Sequence, residues 1–332
     1  MYEKTYLSFE EALDVLADES LSLSSPALYA LSGASSAEVK LFRERWPTLP
    51  AERRRIITAA LTESAEANFE LDFNRLFHVT LEDEDEQVRT LSVEGLWEDE
   101  EVSLVLPLVN ILRRDPSTAA RAAAANSLGR FVLLGELEEL DERYAKLVRG
   151  ALLEAIEGEE EEREVRRRAI ESIAFLTDDC VRDIVAAAYD EPYEDMRISA
   201  VFAMGRTNDP YWSATVLSEL SSANPAMRYE AARACGELEL VESVSELIRL
   251  VSDPDREVQF ASIGALGQIG GPRARHILQV LSRSKDDVVR LLAEDSLAEL
   301  ELGERPLDLL LCKPDELEDE EQDEDDDLEL FD

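Results

Sequence analysis

The sequence predicts an all-α fold: a right-handed α-solenoid of antiparallel helix pairs followed by a disordered acidic C-terminal tail. Three observations carry this. A short segment recurs seven times, as VRTLSVEGL from Val88, ARAAAANSLG from Ala120, VRRRAIESIA from Val165, MRISAVFAMG from Met196, MRYEAARACG from Met227, VQFASIGALG from Val258 and VRLLAEDSLA from Val289. Successive starts lie 32, 45, 31, 31, 31 and 31 residues apart, so the last five are in strict register, and such a period marks stacked supersecondary units. Composition agrees: 45% of the 332 residues are hydrophobic, enough for a core, but only 6% are aromatic, and 13 glycines and 12 prolines are too few for a turn-rich β fold.

The columns of the repeat behave as one helix face. The first position is Val88, Ala120, Val165, Met196, Met227, Val258 and Val289; four later come Ser92, Ala124, Ala169, Ala200, Ala231, Ser262 and Ala293, all small. Eight later come Leu96, Leu128, Ile173, Met204, Cys235, Leu266 and Leu297. This spacing places all three columns on one helical stripe, and a small middle position lets a neighbouring helix approach. Nine after the first stand Trp97, Gly129, Ala174, Gly205, Gly236, Gly267 and Ala298, small in every copy but the earliest, as close backbone contact requires.

The elements follow in order. Ser8 with Glu11 makes a capping box for a helix through Ala17. Ser25-Pro26 opens a short helix that Gly33 ends, and Ser36 opens another that stops at Trp46-Pro47. Residues 1–50 are therefore expected to cap the open end of the stack, a need every solenoid has. Residues 51–302 form the repeat region, about seven to eight helix pairs, with 51–81 as a degenerate pair. Between the repeated segments lie other apolar stripes: Val181, Ile184, Val185 and Ala188; Val241, Val244, Leu247, Ile248 and Val251; and Ile277, Leu278 and Leu281, opened by Gly271-Pro272. Asp115-Pro116, Glu191-Pro192, Asn224-Pro225 and Asp253-Pro254 supply the turns before the second helices. The 45-residue spacing carries 14 extra residues, across which Leu140, Tyr144, Leu147, Val148, Ala151, Leu152, Ala155 and Ile156 keep one stripe. An elongated first helix around 137–157, followed by the acidic loop Gly158–Glu162, is expected there. Residues 303–332 divide into a C-terminal cap segment, Pro306–Leu311, and a tail too acidic to fold. The tail closes with Leu328, Leu330 and Phe331; it solubilises, docks, or folds back as a lid.

An Asp-rich turn, then Val-Arg, then small residues and Leu-Gly, resembles the HEAT repeat, and the 31-residue period is similar to its short-period, bilin-lyase-like (PBS lyase) branch. The resemblance covers Leu81 to Glu301 well and Pro50 to Thr80 less well. It bears on the Arg column Arg89, Arg121, Arg166, Arg197, Arg228, Gln259 and Arg290. That column sits about 100° around the helix from the first apolar one, so its guanidinium groups are partly desolvated and need acceptors. Five residues before the first column the turns offer Asp83, Asp115, Glu160, Glu191 and Asp253. The resemblance implies that these pair with the arginines along the stack as a structural ladder. Ser222 and Ser284 stand at the acidic position and Gln259 at the basic one, so an interruption is expected there.

Charge and cysteine content narrow the function. Against 34 Lys+Arg stand 75 Asp+Glu, a net charge of −41, which opposes nucleic-acid binding, because that needs clustered cations. It favours basic protein partners. No stretch approaches the ~20 apolar residues that span a bilayer, and the N-terminus lacks a signal-peptide pattern. Cys180, Cys235 and Cys312 form neither a disulfide framework nor a zinc site, so a cytoplasmic protein is expected, with monomer as the default state.

Catalytic constellations are lacking. His78 and His276 fall in unrelated repeats, beside no nucleophile motif. No phosphate loop is present, and neither histidine precedes the glutamate by which HEAT-like deoxyhypusine hydroxylases hold iron. No catalytic residue, cofactor or metal is therefore expected. On the second helices, the positions six and ten after the first column point away from the apolar stripe, and Arg130, Phe175, Phe202, Arg206 and Arg233 would form an Arg/Phe strip on the concave face. Arg and aromatics are common interface anchors; packing of Phe175 and Phe202 between repeats is the equal alternative. The sequence thus points to a non-enzymatic protein-interaction scaffold. A bilin-lyase-like chromophore-handling subunit is the first alternative. An acidic chaperone or mimic for basic proteins is the second.

Overall fold

Every regular element of the computed structural model, which describes residues 7–303, is helical. The Pro306–Leu311 segment, Cys312, the acidic tail and its closing apolar residues lie outside the described residues. The N-terminal part comprises α1 (Phe9–Ala17), α2 (Ser25–Tyr29) and α3 (Ser36–Arg45), with a short 3-10 turn over Trp46–Thr48. Ser8 and Glu11 form the capping box of α1, and Ser35 with Glu38 forms that of α3. Then follow α4 (Ala51–Ala67), α5 (Asn74–Thr80), α6 (Glu86–Gly95), α7 (Val105–Arg114), α8 (Thr118–Glu136), α9 (Glu142–Glu157), α10 (Arg163–Ile173), α11 (Asp179–Tyr189), α12 (Glu194–Arg206), α13 (Ser213–Glu219), α14 (Pro225–Glu237), α15 (Val244–Leu250), α16 (Arg256–Ile269), α17 (Gly271–Leu281) and α18 (Asp287–Gly303).

From α5 onward each odd-numbered helix packs against the even-numbered one after it. The even-numbered helices stack on one another in order from α4 to α18 and make one continuous layer. This is an α-solenoid, and the repeat columns explain it. Val88, Val165, Met196 and Val258 of the first column, and Leu96, Leu128, Ile173, Met204, Cys235 and Leu266 eight later, are fully buried. The small column between them is fully buried in all seven copies. The glycine column is where adjacent second helices touch. A Cβ built on Gly205 would lie 2.9 Å from Ala234 Cα, and one on Gly236 would lie 2.9 Å from Ala265 Cα. Trp97, which breaks the column, is 43% exposed.

Three departures from the periodic reading have local causes. Residues 51–81 are not a pair with each other: α4 opens the second-helix layer by packing on α6, and α5 is the partner of α6. The insertion is divided between two helices. Six residues extend α8 beyond Arg130 to Glu136, the chain turns at Glu138 with φ 61°, and α9 begins only at Glu142. Val241 falls in a 3-10 turn and is exposed, while Val244 and Leu247 carry the buried face of α15.

The cap joins the solenoid through a buried arginine. Arg53 takes the place of the first apolar column on α4 and is 7% exposed. Its Nε donates to the Leu16 carbonyl at 2.7 Å, and its Nη2 to the carbonyls of Asp18 at 3.0 Å and Leu21 at 3.1 Å. The Leu16 carbonyl is one that the end of α1 leaves without a helical partner, and those of Asp18 and Leu21 lie in the turn after it; three acceptors are why a cation is tolerated at a core position.

Candidate functional site

The Arg column forms a ladder between successive turns. Arg89 donates from Nε and Nη2 to both carboxylate oxygens of Asp115 at 2.7 Å, and from Nη1 to the Asp83 carbonyl at 2.8 Å. Arg228 does the same with Asp253, at 2.9 and 2.8 Å, and with the Ser222 carbonyl at 2.9 Å. Each guanidinium thus bolts its own turn to the next. Burial raises the Asp115 and Asp253 carboxyls, but the hydrogen bonds from their arginines and from backbone N–H groups outweigh it and hold both below the usual carboxylate range. Arg166 reaches Glu191 at 2.7 Å.

The expected interruption occurs only in part. Arg197, which faces Ser222, turns to Glu219 at 3.1 Å, an acid one helical turn earlier that the column reading passed over. Gln259 faces Ser284, so both partners are neutral together, and its Nε2 still donates to the Asp253 carbonyl at 2.6 Å. Arg121 pairs with Glu161 at 2.8 Å rather than with Glu160, because the insertion shifts the turn. Arg290, in the last described repeat, pairs within its own helix with Asp287. One member was missed: Arg54 on α4 lies 3.1 Å from Asp83 and donates to Glu84 at 2.9 Å. The signal was present, since Arg54 stands one after Arg53 as Arg89 stands one after Val88.

Phe175, Phe202, Arg206 and Arg233 come together on the second-helix layer. The Arg206 guanidinium lies 5.4 Å from the centres of both the Phe175 and Phe202 rings, and that of Arg233 lies 4.8 Å from the Phe202 ring. The two arginines share Glu237, at 3.5 Å from Arg206 and 2.8 Å from Arg233, and Arg233 also holds Glu230 at 3.0 Å. Both phenylalanines are half-buried, and Phe175 packs on the core. The strip is thus an alternation of ring, cation, ring and cation, built from Phe175 in the turn after α10, Phe202 and Arg206 of α12 and Arg233 of α14. Burial pushes the Glu230 carboxyl up to about 7, against the pull of Arg233. Glu230 was not anticipated, though it stands three before Arg233 on the same helix.

Arg130 is not part of this strip. Its Nε donates to the Asp99 carbonyl at 2.8 Å and its Nη1 to that of Trp97 at 3.2 Å. Burial lowers its pKa to about 10. Asp99, 3% exposed, also accepts from His78 at 2.7 Å. Burial would raise the Asp99 carboxyl, but that hydrogen bond and one from the Glu101 N–H keep it low. His276 lies far along the chain, on α17.

Comparison with known proteins agrees with the architecture. Residues 213–298, within the strictly periodic part, match the family of HEAT repeats. No curated protein matches the sequence. Among solved structures, the complex of CpcE and CpcF of phycocyanin lyase from Nostoc sp. is similar with a TM-score of 0.51 at 13% identity, covering 86% of this chain and 97% of that one. The E. coli protein YibA gives a TM-score of 0.41 at 16% identity, over 73% of this chain and 96% of that one. Human deoxyhypusine hydroxylase gives 0.35 at 16% identity, over 89% of this chain and 96% of that one. The likeness to the phycocyanin lyase complex, at 13% identity, is one of fold. The chain is an α-solenoid whose residues 213–298 match HEAT repeats, and among the described residues no helix is long and apolar enough to cross a membrane.

Proposed function

We propose that this chain is a non-enzymatic scaffold whose second-helix layer takes a protein partner. The observation that carries the reading is the Phe175–Arg206–Phe202–Arg233 strip. Its rings and cations hold one another in place, so little side-chain freedom is lost on binding, and Arg with aromatics is the composition of interface anchors. The acidic body around it, net −41 over the chain, steers basic partners toward the surface. A scaffold of this kind works by shape and needs no catalytic group. His78, one of the chain's two histidines, is already engaged by Asp99.

The test replaces Phe202 and Arg206 with alanine in the full chain. Proteins that co-purify with the wild type from its source cells are expected to be lost from the variant while its helical circular dichroism persists. An unchanged set of partners overturns the assignment of the strip.

A second reading, a chromophore-handling subunit, is favoured by the similarity to the phycocyanin lyase complex. It predicts that a linear tetrapyrrole mixed with the chain changes its absorption spectrum; an unaltered spectrum rejects it. A third, an acidic chaperone for basic proteins, is favoured by the charge alone. It predicts salt-sensitive binding that disappears on deleting residues 315–332.

A further inference from the structure

A groove of about 500 Å³ lies on the second-helix layer where α4, α6, α8 and α10 meet, separate from the Arg/Phe strip. Two of its buried donor atoms have no partner. Ser127, 8% exposed, and Arg130 both line it, and Ser127 Oγ and Arg130 Nη2 are buried without a partner. The other guanidinium contacts of Arg130 are already taken by the Trp97 and Asp99 carbonyls. A buried donor left unmade costs about 1–3 kcal/mol, so the groove is poised for an acceptor.

The groove also presents unmatched negative charge. Glu66 from α4 and Glu94 from α6 line it, and neither forms an ion pair among the described residues, whereas Arg168 in the same groove is held by Glu164 and Glu171. Partial burial and the nearby Glu66 charge push the Glu94 carboxyl up. Trp97 lines the groove, and its ring centre lies 6.2 Å from that of Phe69, which is 74% exposed. In five of the other six copies the Trp97 column is a small residue buried under the next helix. Here a large aromatic stands in the open beside a polar groove.

We propose that this groove receives a basic side chain, lysine or arginine, from an extended segment of a partner protein. The cation sits between Glu66 and Glu94, its aliphatic stem lies against Trp97, and a main-chain carbonyl of the same segment accepts from Arg130 Nη2. The chemistry is complementary at each point: a cation relieves two unpaired carboxylates, an indole face attracts a cation, and a carbonyl satisfies a stranded donor. The inference rests on the reading of the chain as a protein-binding scaffold, and it names the partner chemistry at a site other than the strip.

The experiment uses the full chain and a fluorescein-labelled heptapeptide with two lysines among glycine and alanine, with a norleucine counterpart. Anisotropy is expected to show the lysine peptide bound and the norleucine peptide bound at least about tenfold more weakly. The pair Glu66→Gln and Glu94→Gln is expected to weaken the lysine peptide at least about tenfold, since a charge-assisted contact is lost. Its effect on the overall acidic field is small, two charges out of 41. Arg130→Lys keeps the charge but removes the Nη2 donor, and is expected to weaken binding several-fold. Phe202→Ala with Arg206→Ala is expected to leave the peptide affinity unchanged. Equal binding by the glutamine variant overturns the groove and assigns binding to the general field, and equal binding by the norleucine peptide overturns it by showing that no cation is recognised. Loss of peptide binding in the strip variant alone sinks the groove and keeps the scaffold. If no lysine peptide binds and no partner co-purifies, both fall.

Discussion

Replacing Gly236 with alanine tests the packing of the stack. The new Cβ would lie 2.9 Å from Ala265 Cα and 3.1 Å from Ala265 Cβ, against the roughly 3.5–4.0 Å of comfortable carbon contact. Gln268 is also in its way, but that side chain is flexible and can turn aside. The backbone of α16 cannot, so α14 and α16 must part by roughly half an ångström or more. Overpacking against backbone belongs in the upper half of the ~1–3 kcal/mol range. Alanine returns about 1 kcal/mol by its better helix propensity. The net expectation is a loss of ~1–2 kcal/mol. Gly264, on α16, is the control: nothing lies within 4 Å of its Cβ position, so Gly264→Ala keeps the propensity gain and stabilises by about 1 kcal/mol. Urea unfolding followed by helical circular dichroism compares the two midpoints. A Gly236→Ala protein as stable as Gly264→Ala would refute the close approach of second helices as the reason for the glycine column.

Two further predictions concern charge. Arg228→Met strands the Asp253 carboxylate, whose side chain is 6% exposed, and should cost ~2–4 kcal/mol. Arg290→Met, whose partner Asp287 is 78% exposed, should cost no more than about 1 kcal/mol. Because the folded Asp253 carboxyl is held low, its contribution is present above the unfolded value of ~3.9 and lost as pH falls through the lower folded one. Acid unfolding of Arg228→Met should therefore show a shallower pH slope below about pH 4 than the wild type; identical slopes would refute the ladder's role. Glu230 has the opposite sign. Its carboxyl is raised from 4.5 to about 7, so the folded state binds the extra proton, and stability present below about 4.5 is lost as pH rises through about 7. Glu230→Gln should stabilise by up to ~3 kcal/mol at about pH 8 and make no difference near about pH 4, read from thermal melts; equal melting at the higher pH would show that Arg233 compensates its burial fully.

The ladder shows what a repeat makes readable. Where the 31-residue register is strict, the arginine of one copy and the acid of the next turn fall at fixed offsets, and Arg228 does find Asp253. Where the register breaks, a long guanidinium side chain reaches whichever carboxylate is near, and with 75 acids in the chain spacing cannot say which. So Arg121, at the insertion, takes Glu161. Arg197 stands in strict register, but Ser222 fills the acidic position it faces, and it takes Glu219 instead. Arg54 escaped notice because Arg53 occupies a column that elsewhere is apolar, and only the carbonyls at the end of α1 explain why a cation can sit there.

The candidate surfaces divide in the same way. Periodicity alone placed Phe175 with Arg206, and Phe202 with Arg233, at equivalent positions of successive repeats, and stacking turned equivalence into contact. Arg130 has the same offset yet joins another neighbourhood, because the chain after α6 turns the Trp97 and Asp99 carbonyls toward it. Periodicity is a property of covalent order and survives in the sequence, so the all-helical class, the second-helix layer and its small-residue seam were determined there. Which donor is left stranded, which acids lie unpaired and where a groove opens depend on the relative placement of four separate helices. Those distances arise only when the layer packs, and only the tertiary structure decides them.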